Sequence, residues 1–469
     1  MADGDKVFAM RFTLLVMCAA LATRAESQAP LDSTASLLVQ LVRENSSNPP
    51  GDTRGIARML DPMFRERGFE VDVIPTPDSL KVHFVARLRG SGARRPVLIA
   101  AHTDVVGVER EKWSVDPFAG VVKDGYVYGR GAIDFKGGVA VFARATMLLA
   151  ERKVPLDRDV IFLAEADEEG ALPYSAAWLA EHHWPKIDAE FALNEGGWII
   201  QRDDRRVRYV SISTADKGVF VINLVSHGTS THSSMPVPDN AIYSLGRALA
   251  RLADYETPVT LTPETRQFFL TLAKTSTGAT AQALRDLVNG GGQRRARADR
   301  EISRDPLLHA LAHTTIAPVI VNGGFRSNVI PGSAQVMLNV RAIPGTKPED
   351  IAAAIRRAIA DTTVEVQLQV FAQRPIPVSP DTTALYRALA AAAKAEFPEA
   401  EVTSYLFQAG TDAAAWRARG VPVYGIYPYP ITAEDLKRMH GNDERVSIES
   451  LRRGTEMIYR TLVDVAGRK

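Results

Sequence analysis

The chain has 469 residues, 46% of them hydrophobic and 24% charged, with a net charge of +1. It can bury a large core and is longer than one domain usually grows, so two domains are expected. Basic and acidic residues are interspersed, which excludes a nucleic-acid partner held on a basic surface, and the mixed runs Arg202 to Arg208 and Arg294 to Arg304 read as solvated faces.

Residues 1–29 read as a signal peptide. Phe12 to Ala22 is an apolar run of the length of a secretory core, short for a bilayer span, and Thr23-Arg24-Ala25 supplies the small residues of a cleavage site. The stretch from Met1 to Ala9 is an unusual leader opening, whereas a start at Met10 gives the ordinary Met-Arg beginning. The only cysteine, Cys18, falls inside this run, and Met17 before it does not suit a lipid-attachment motif. The processed chain would hold no cysteine, so disulfides, a cysteine nucleophile and a thiolate zinc site are excluded. A periplasmic or secreted protein with no membrane span after cleavage is the expectation.

The pattern then predicts helices over Leu31 to Glu44 and Gly51 to Gly68, followed by short β-branched strands, Val82 to Leu88 and Val97 to Ala101. A long apolar helix runs from Gly137 to Leu149, and Val160 to Ala164 and Phe191 to Leu193 are further buried strands. Near Lys217-Gly218 the texture changes. Strand Val219 to Val225, helix Ala241 to Leu252, strands Thr315 to Val321 and Gln335 to Val340, helix Pro348 to Ile359 and strand Val364 to Val370 give the β-α-β-β-α-β order of a ferredoxin-like unit. It is an insertion of about 155 residues, an ordinary domain size. Within it Thr257 to His313 is longer than such a connection needs, and Gly290-Gly291-Gly292 marks a mobile point. After Gln373 the first unit resumes with helix Ala384 to Glu396, strand Val423 to Ile426 and helix Ile448 to Val465. The expected domains are residues 30–215 and 373–469 together, with 216–372 inserted.

Three metal-ligand segments directly follow three of the apolar strands: His102-Thr103-Asp104, Asp167-Glu168-Glu169 and Asn194-Glu195. In open α/β sheets that edge is where ligands bind. Asp134 follows the glycine-rich turn Gly129-Arg130-Gly131, and His440 lies in a loop before the last helix. Each has an ordinary reading alone: a surface histidine, a turn aspartate, a solvated pair of glutamates. Together, two histidines, three carboxylates and one spare carboxylate are what a two-zinc hydrolytic site needs. The i, i+2 spacing of His102 and Asp104 predicts that the Asp104 carboxylate accepts the second ring N–H of His102. Of the adjacent pair Glu168 and Glu169, one can ligate while the other accepts a proton.

These segments resemble the co-catalytic di-zinc exopeptidases and amidohydrolases, the family of aminoacylases, succinyl-diaminopimelate desuccinylase, bacterial glutamate carboxypeptidases and the Gly-X carboxypeptidase S type. The match runs in order over almost the whole chain after the leader. The linker Trp113 to Gly120 and the long insertion look most like the carboxypeptidase S branch. The resemblance implies an α/β fold, a mixed-sheet zinc-exopeptidase catalytic domain with an inserted ferredoxin-like α+β lid that serves for dimerisation. It implies one zinc on His102 and Glu195, the other on Glu169 and His440, with Asp134 bridging, Glu168 as general base and Asp104 orienting His102. Cobalt or manganese would suit the same ligands. The segment around His232 resembles the family's oxyanion-stabilising histidine motif, which in dimers often reaches the partner subunit's site. Asn328 matches a substrate-contacting asparagine, and Gly410-Thr411 a turn lining the pocket.

The sequence departs from the family at Phe135, at Ala171-Leu172 after Glu169, and at Ala413 to Trp416, which lacks the arginine many aminoacylases carry. Arg326 and Arg374 are the candidate replacements for clamping a substrate carboxylate, because a guanidinium binds carboxylate bidentately. Two substrate readings follow: a carboxypeptidase acting on short peptides, or an N-acyl-amino-acid amidohydrolase. A lid-dimer protein that binds peptides without cleaving them would lack a ligand or the base, and none is missing.

Overall fold

The computed structural model describes residues 32–170, 173–369 and 377–468. The expected signal segment, Arg374 and the Ala171-Leu172 departure therefore lie outside the described residues. The first helix, Ser33–Arg43, begins where the Asp32 carboxylate accepts the Thr34 N–H at 2.9 Å, an N-cap.

A ten-stranded sheet forms the base of the molecule. Its order is Glu70–Pro75, Val82–Leu88, Val160–Glu165, Val97–His102, Phe191–Asn194, Val423–Gly425, Val207–Asp216, Ile199–Gln201 and Pro430–Thr432, with Glu401–Phe407 pairing alongside Val207–Asp216. Its three central strands run parallel, with His102 opposite Glu165 and Ile99 opposite Leu193. They are buried over their whole length, as continuous apolar runs covered on both faces must be. Helix Lys136–Glu151 lies against Val97–His102 and is covered in turn by helices Ser33–Arg43 and Ile448–Ala466. It is apolar nearly all round, the pattern of a helix with no solvent face. Gly138 is needed at its start, because a Cβ there would run into the Phe135 ring.

A second sheet of four strands, all antiparallel, has the order Thr315–Gly323, Ser333–Ala342, Gly218–His227 and Val364–Gln369. Helices Ala241–Ala253 and Pro348–Ile359 cover one face, and Phe220, Ile222, Leu224, Leu245, Val336, Leu338 and Ile355 form their shared core. This is the β-α-β-β-α-β order expected, with the first and third strands at the centre. The long connection, Thr257 to His313, is not an unstructured loop. It folds into four helices, Pro263–Lys274, Gly278–Asn289, Gly292–Ile302 and Pro306–Ala312, and Gly290 and Gly292 simply end one helix and start the next. Its Phe268 packs edge-on against Tyr209 and Tyr405 of the ten-stranded sheet, at 5.4 and 5.0 Å between ring centres. No helix among the described residues is long and apolar enough to cross a membrane.

Candidate metal centre

The parallel register brings three strand ends to one edge, and two loops complete the cluster. His102 Nε2 lies 3.2 Å from Asp134 Oδ1 and 3.5 Å from Glu195 Oε2. His440 Nε2 lies 3.1 Å from Asp134 Oδ2 and 2.8 Å from Glu169 Oε1. Asp134 thus turns one carboxylate oxygen to each histidine. Two overlapping ligand groups result, His102–Asp134–Glu195 and Asp134–Glu169–His440, and Glu168 lies within ligand distance of His102 and Glu169. All five expected ligands and the expected base come together.

The cluster holds more negative charge than its histidines balance; His102, Asp134 and Glu195 are buried, Glu168 and Glu169 half-buried, and His440 exposed. Burial pushes the Glu195 carboxyl up to about 7 although His102 pulls the other way. Burial, then the Glu195 charge, raises Glu168 well above the carboxylate range. Hydrogen bonds to Asp134 and Glu169 carry His440 up to about 10. Burial opposes charge on Asp134, but His102 and His440 hold its carboxyl far below the usual range. Carboxylates packed this closely suit bound cations, whose charge would offset their mutual repulsion. Nitrogen and oxygen donors in two groups that share one carboxylate fit a pair of divalent metal ions.

One expected contact is corrected. His102 Nδ1 donates to the backbone carbonyl of Asp104 at 2.9 Å, while the Asp104 carboxylate stays 3.8 Å from that nitrogen. The strand ends at His102, so the alternation that would have placed both side chains on one face does not continue. The Asp104 carboxylate instead accepts the backbone N–H of Glu168 at 3.2 Å and of Glu169 at 3.0 Å, and the side-chain amide of Asn48. Its work is to fix the turn that presents the two glutamates. Asp167 enters that turn with φ 68°, in the left-handed region that lets two adjacent side chains diverge.

Several supporting residues have no sequence signal. The Tyr427 hydroxyl sits 3.1 Å from Asp134 Oδ1 and 3.0 Å from Glu195 Oε2. Arg130 and Glu444 form a buried pair behind the loops of Asp134 and His440. A cleft of about 530 Å³ opens over Asp134, Glu168, Glu169, Glu195 and His440. Gly410 and Thr411 line it as expected, and so do Arg341, Val219, Phe407 and Met439. The Thr411 hydroxyl is already engaged, donating to Asp216 Oδ2 at 2.7 Å. Arg341 is a cleft arginine that no sequence pattern singles out; of the two expected arginines, Arg326 does not line the cleft and Arg374 lies outside the described residues.

His232, Arg326 and Asn328 are gathered elsewhere. His232 pairs with Val329 in a short antiparallel ladder, and the Asn328 carbonyl accepts the Ser233 N–H at 3.0 Å. All three are exposed and none lines the cleft. They occupy one corner of the four-stranded sheet, so within a single chain they do not complete the metal centre.

The sequence profile of peptidase family M20/M25/M40 matches residues 98–464. The chain belongs to this family. Human N-fatty-acyl-amino acid synthase/hydrolase PM20D1 is 30% identical over 372 residues, 78% of this chain and 73% of its own. Probable carboxypeptidase S-like 2 of Dictyostelium discoideum is 29% identical over 374 residues, 78% of this chain and 70% of its own. The M20 family metallo-carboxypeptidase Sso-CP2 from Sulfolobus solfataricus shares the fold, with a TM-score of 0.70 at 18% identity over 93% of this chain and 99% of that one. As an M20 member the chain is a metal-dependent hydrolase of the carboxypeptidase and amidohydrolase type, with a mixed α/β fold of several sheets.

Proposed function

We propose that the chain hydrolyses the amide bond before a C-terminal amino acid, as an exported carboxypeptidase acting on short peptides. One observation carries the reading: Asp134 divides its two oxygens between His102 and His440, with Glu168 beside them. When bound, two divalent cations, zinc by preference, would polarise the amide carbonyl and lower the pKa of a water toward about 7. His102 and Glu195 would hold one of them, Glu169 and His440 the other, and Asp134 would contribute to both. Glu168 takes the proton of the attacking water and passes it to the departing amine, acting as base and then acid. Burial, then the Glu195 charge, raises the proton affinity of its carboxyl. Asp104 keeps Glu168 in reach through its backbone. Arg341 on the cleft wall is the cation that meets the free carboxylate of the substrate. The apolar run Phe12 to Ala22 supports export.

A second reading is favoured by the apolar side of the cleft, where Val219, Phe407 and Met439 would accept an acyl chain. The similar human protein is named for N-fatty-acyl-amino acids. Purified protein loaded with zinc, assayed on Gly-X dipeptides against N-acetyl and long-chain N-acyl amino acids, separates the two. Glu168→Gln should keep both metal ions and lose turnover by about 10²–10⁴-fold. Retained turnover would remove Glu168 from its role.

The exposed edge strand Thr315–Gly323 supports a homodimer through the inserted unit. Val321 is 63% exposed and Phe325 beyond it 77% exposed, an apolar unpaired edge of the kind that adds a second strand. The neighbouring corner with His232 and Asn328 would then face a partner's cleft, where His232 could donate to the developing oxyanion.

A further inference from the structure

Asp134 and His440 sit on loops far apart in the chain, yet one buried carboxylate is shared between those loops. Glu444 is fully buried. Its Oε1 accepts the backbone N–H of Ile133 at 2.7 Å and of Asp134 at 3.0 Å. Its Oε2 accepts the backbone N–H of Gly131 at 3.0 Å and the Arg130 guanidinium at 2.6 Å. The other guanidinium arm of Arg130 turns to the second loop, where Nη2 donates to the backbone carbonyls of Gly441 at 2.9 Å and His440 at 3.3 Å. The Trp113 ring lies over this guanidinium at 5.3 Å. The crossing is reciprocal: a carboxylate from the His440 loop clamps the backbone of the Asp134 loop, and an arginine from the Asp134 loop clamps the backbone of the His440 loop.

Neither loop has regular structure of its own to hold this shape. His440 has φ 58° and Asp443 φ 52°, left-handed conformations that the chain keeps only where its surroundings determine them. A displacement of Asp134 would affect both cation positions, because it faces both histidines. A displacement of His440 would affect only one.

We infer that Glu444 and Arg130 are positioning residues that tie the two cation positions together, Glu444 by placing the shared carboxylate and Arg130 by placing His440. The inference rests on the reading that Asp134 and His440 are metal ligands. It separates Glu444 and Arg130 from residues that merely stabilise the fold, because the two should differ in which metal equivalent they govern. Replacing groups that hold ligands from behind typically costs about 10–100-fold in metal affinity.

The test uses the full chain, stripped by chelation and titrated with Co²⁺ alone, followed by calorimetry and visible absorption. Wild type should take up two equivalents. Arg130→Lys keeps a buried cation opposite Glu444 but releases the His440 loop. It should leave one equivalent within about 3-fold of wild type and weaken the other, that of the His440 position, by about tenfold or more. Glu444→Gln should weaken both by about 10–100-fold. A wild type that fails to bind two equivalents overturns the metal reading itself. A wild type that binds two, with a folded Arg130→Lys variant that binds both at the wild-type affinity ratio, overturns the positioning role alone, even if that variant melts at lower temperature. Should Glu444→Gln fail to fold, Arg130→Lys decides the matter.

Discussion

Asp104→Asn distinguishes what Asp104 does in this structure from what its spacing to His102 suggests. The carboxylate accepts two backbone N–H groups, from Glu168 and Glu169, and the Asn48 amide. An asparagine keeps one acceptor oxygen and turns an NH₂ toward a donor it cannot satisfy. A hydrogen bond to a charged group contributes about 1.5–3 kcal/mol, and a buried group left unsatisfied costs about 1–3 kcal/mol. If about 2–4 kcal/mol of this is felt as misplacement of Glu168 in the transition state, kcat falls by about 30- to 1,000-fold. The His102 ring is unaffected, since its Nδ1 donates to the backbone carbonyl of residue 104, which the substitution leaves in place. The assay is a paired one, turnover on the best substrate and Co²⁺ titration of the stripped protein. The expected result is one equivalent bound as in wild type, the other weakened because Glu169 is also released, and a large loss of kcat. Weakening of both equivalents with normal turnover at saturating metal would refute the reasoning and restore the carboxylate to the His102 ring.

Three other outcomes follow from the same structure. Arg341→Met should raise KM for substrates with a free carboxylate by about 30–100-fold, the equivalent of one charge-assisted contact, and leave C-terminally amidated analogues unchanged; equal effects on both would place the guanidinium outside substrate recognition. Val321→Lys on the exposed edge strand should convert a dimer to a monomer in light scattering, with turnover falling as His232 is withdrawn, whereas a monomeric wild type would end the dimer reading. His83 is buried neutral, its Nε2 donating to the Tyr174 carbonyl at 2.9 Å, and burial lowers its pKa from 6.5 to about 4. A base with a depressed folded-state pKa contributes stability that is present above 6.5 and lost as pH falls toward about 4, so denaturant titrations of the metal-free protein should lose about 3 kcal/mol across that window. His83→Gln should flatten that part of the pH dependence, and an unchanged slope would assign it to other groups.

What could be read from the sequence follows from how each residue is held. His102 ends a strand buried on both faces, and Glu168, Glu169 and Glu195 follow two others; such strands read as uninterrupted apolar runs, so the ends that carry the candidate site residues are marked by the chain itself. His440 sits in a loop with a left-handed backbone and has no pattern around it, so only the family resemblance picks it out. The strand Val207–Asp216 escapes because its buried positions include Ser211, Ser213 and Thr214, hydroxyl residues that carry no hydrophobic period, and an arginine-rich turn leads into it. Arg341 escapes for the opposite reason. It lies on Ser333–Ala342, whose alternation is so regular that an arginine on the half-exposed face reads as solvated until the four-stranded sheet is seen to turn that face toward the cleft.

Asn48, Tyr427, Glu444 and Arg130 act through partners that are distant in sequence and often through backbone atoms, whose positions no residue type encodes. Metal ligands must be particular side chains, so they leave a compositional trace. The groups that aim those ligands need only a donor or an acceptor in the right place, and that place exists only after folding. It follows that substitutions tolerated among relatives should concentrate on the aiming groups rather than the ligands. Exchanging Asn48 for another short hydrogen-bond donor should therefore cost far less turnover than removing the Asp104 carboxylate it supports.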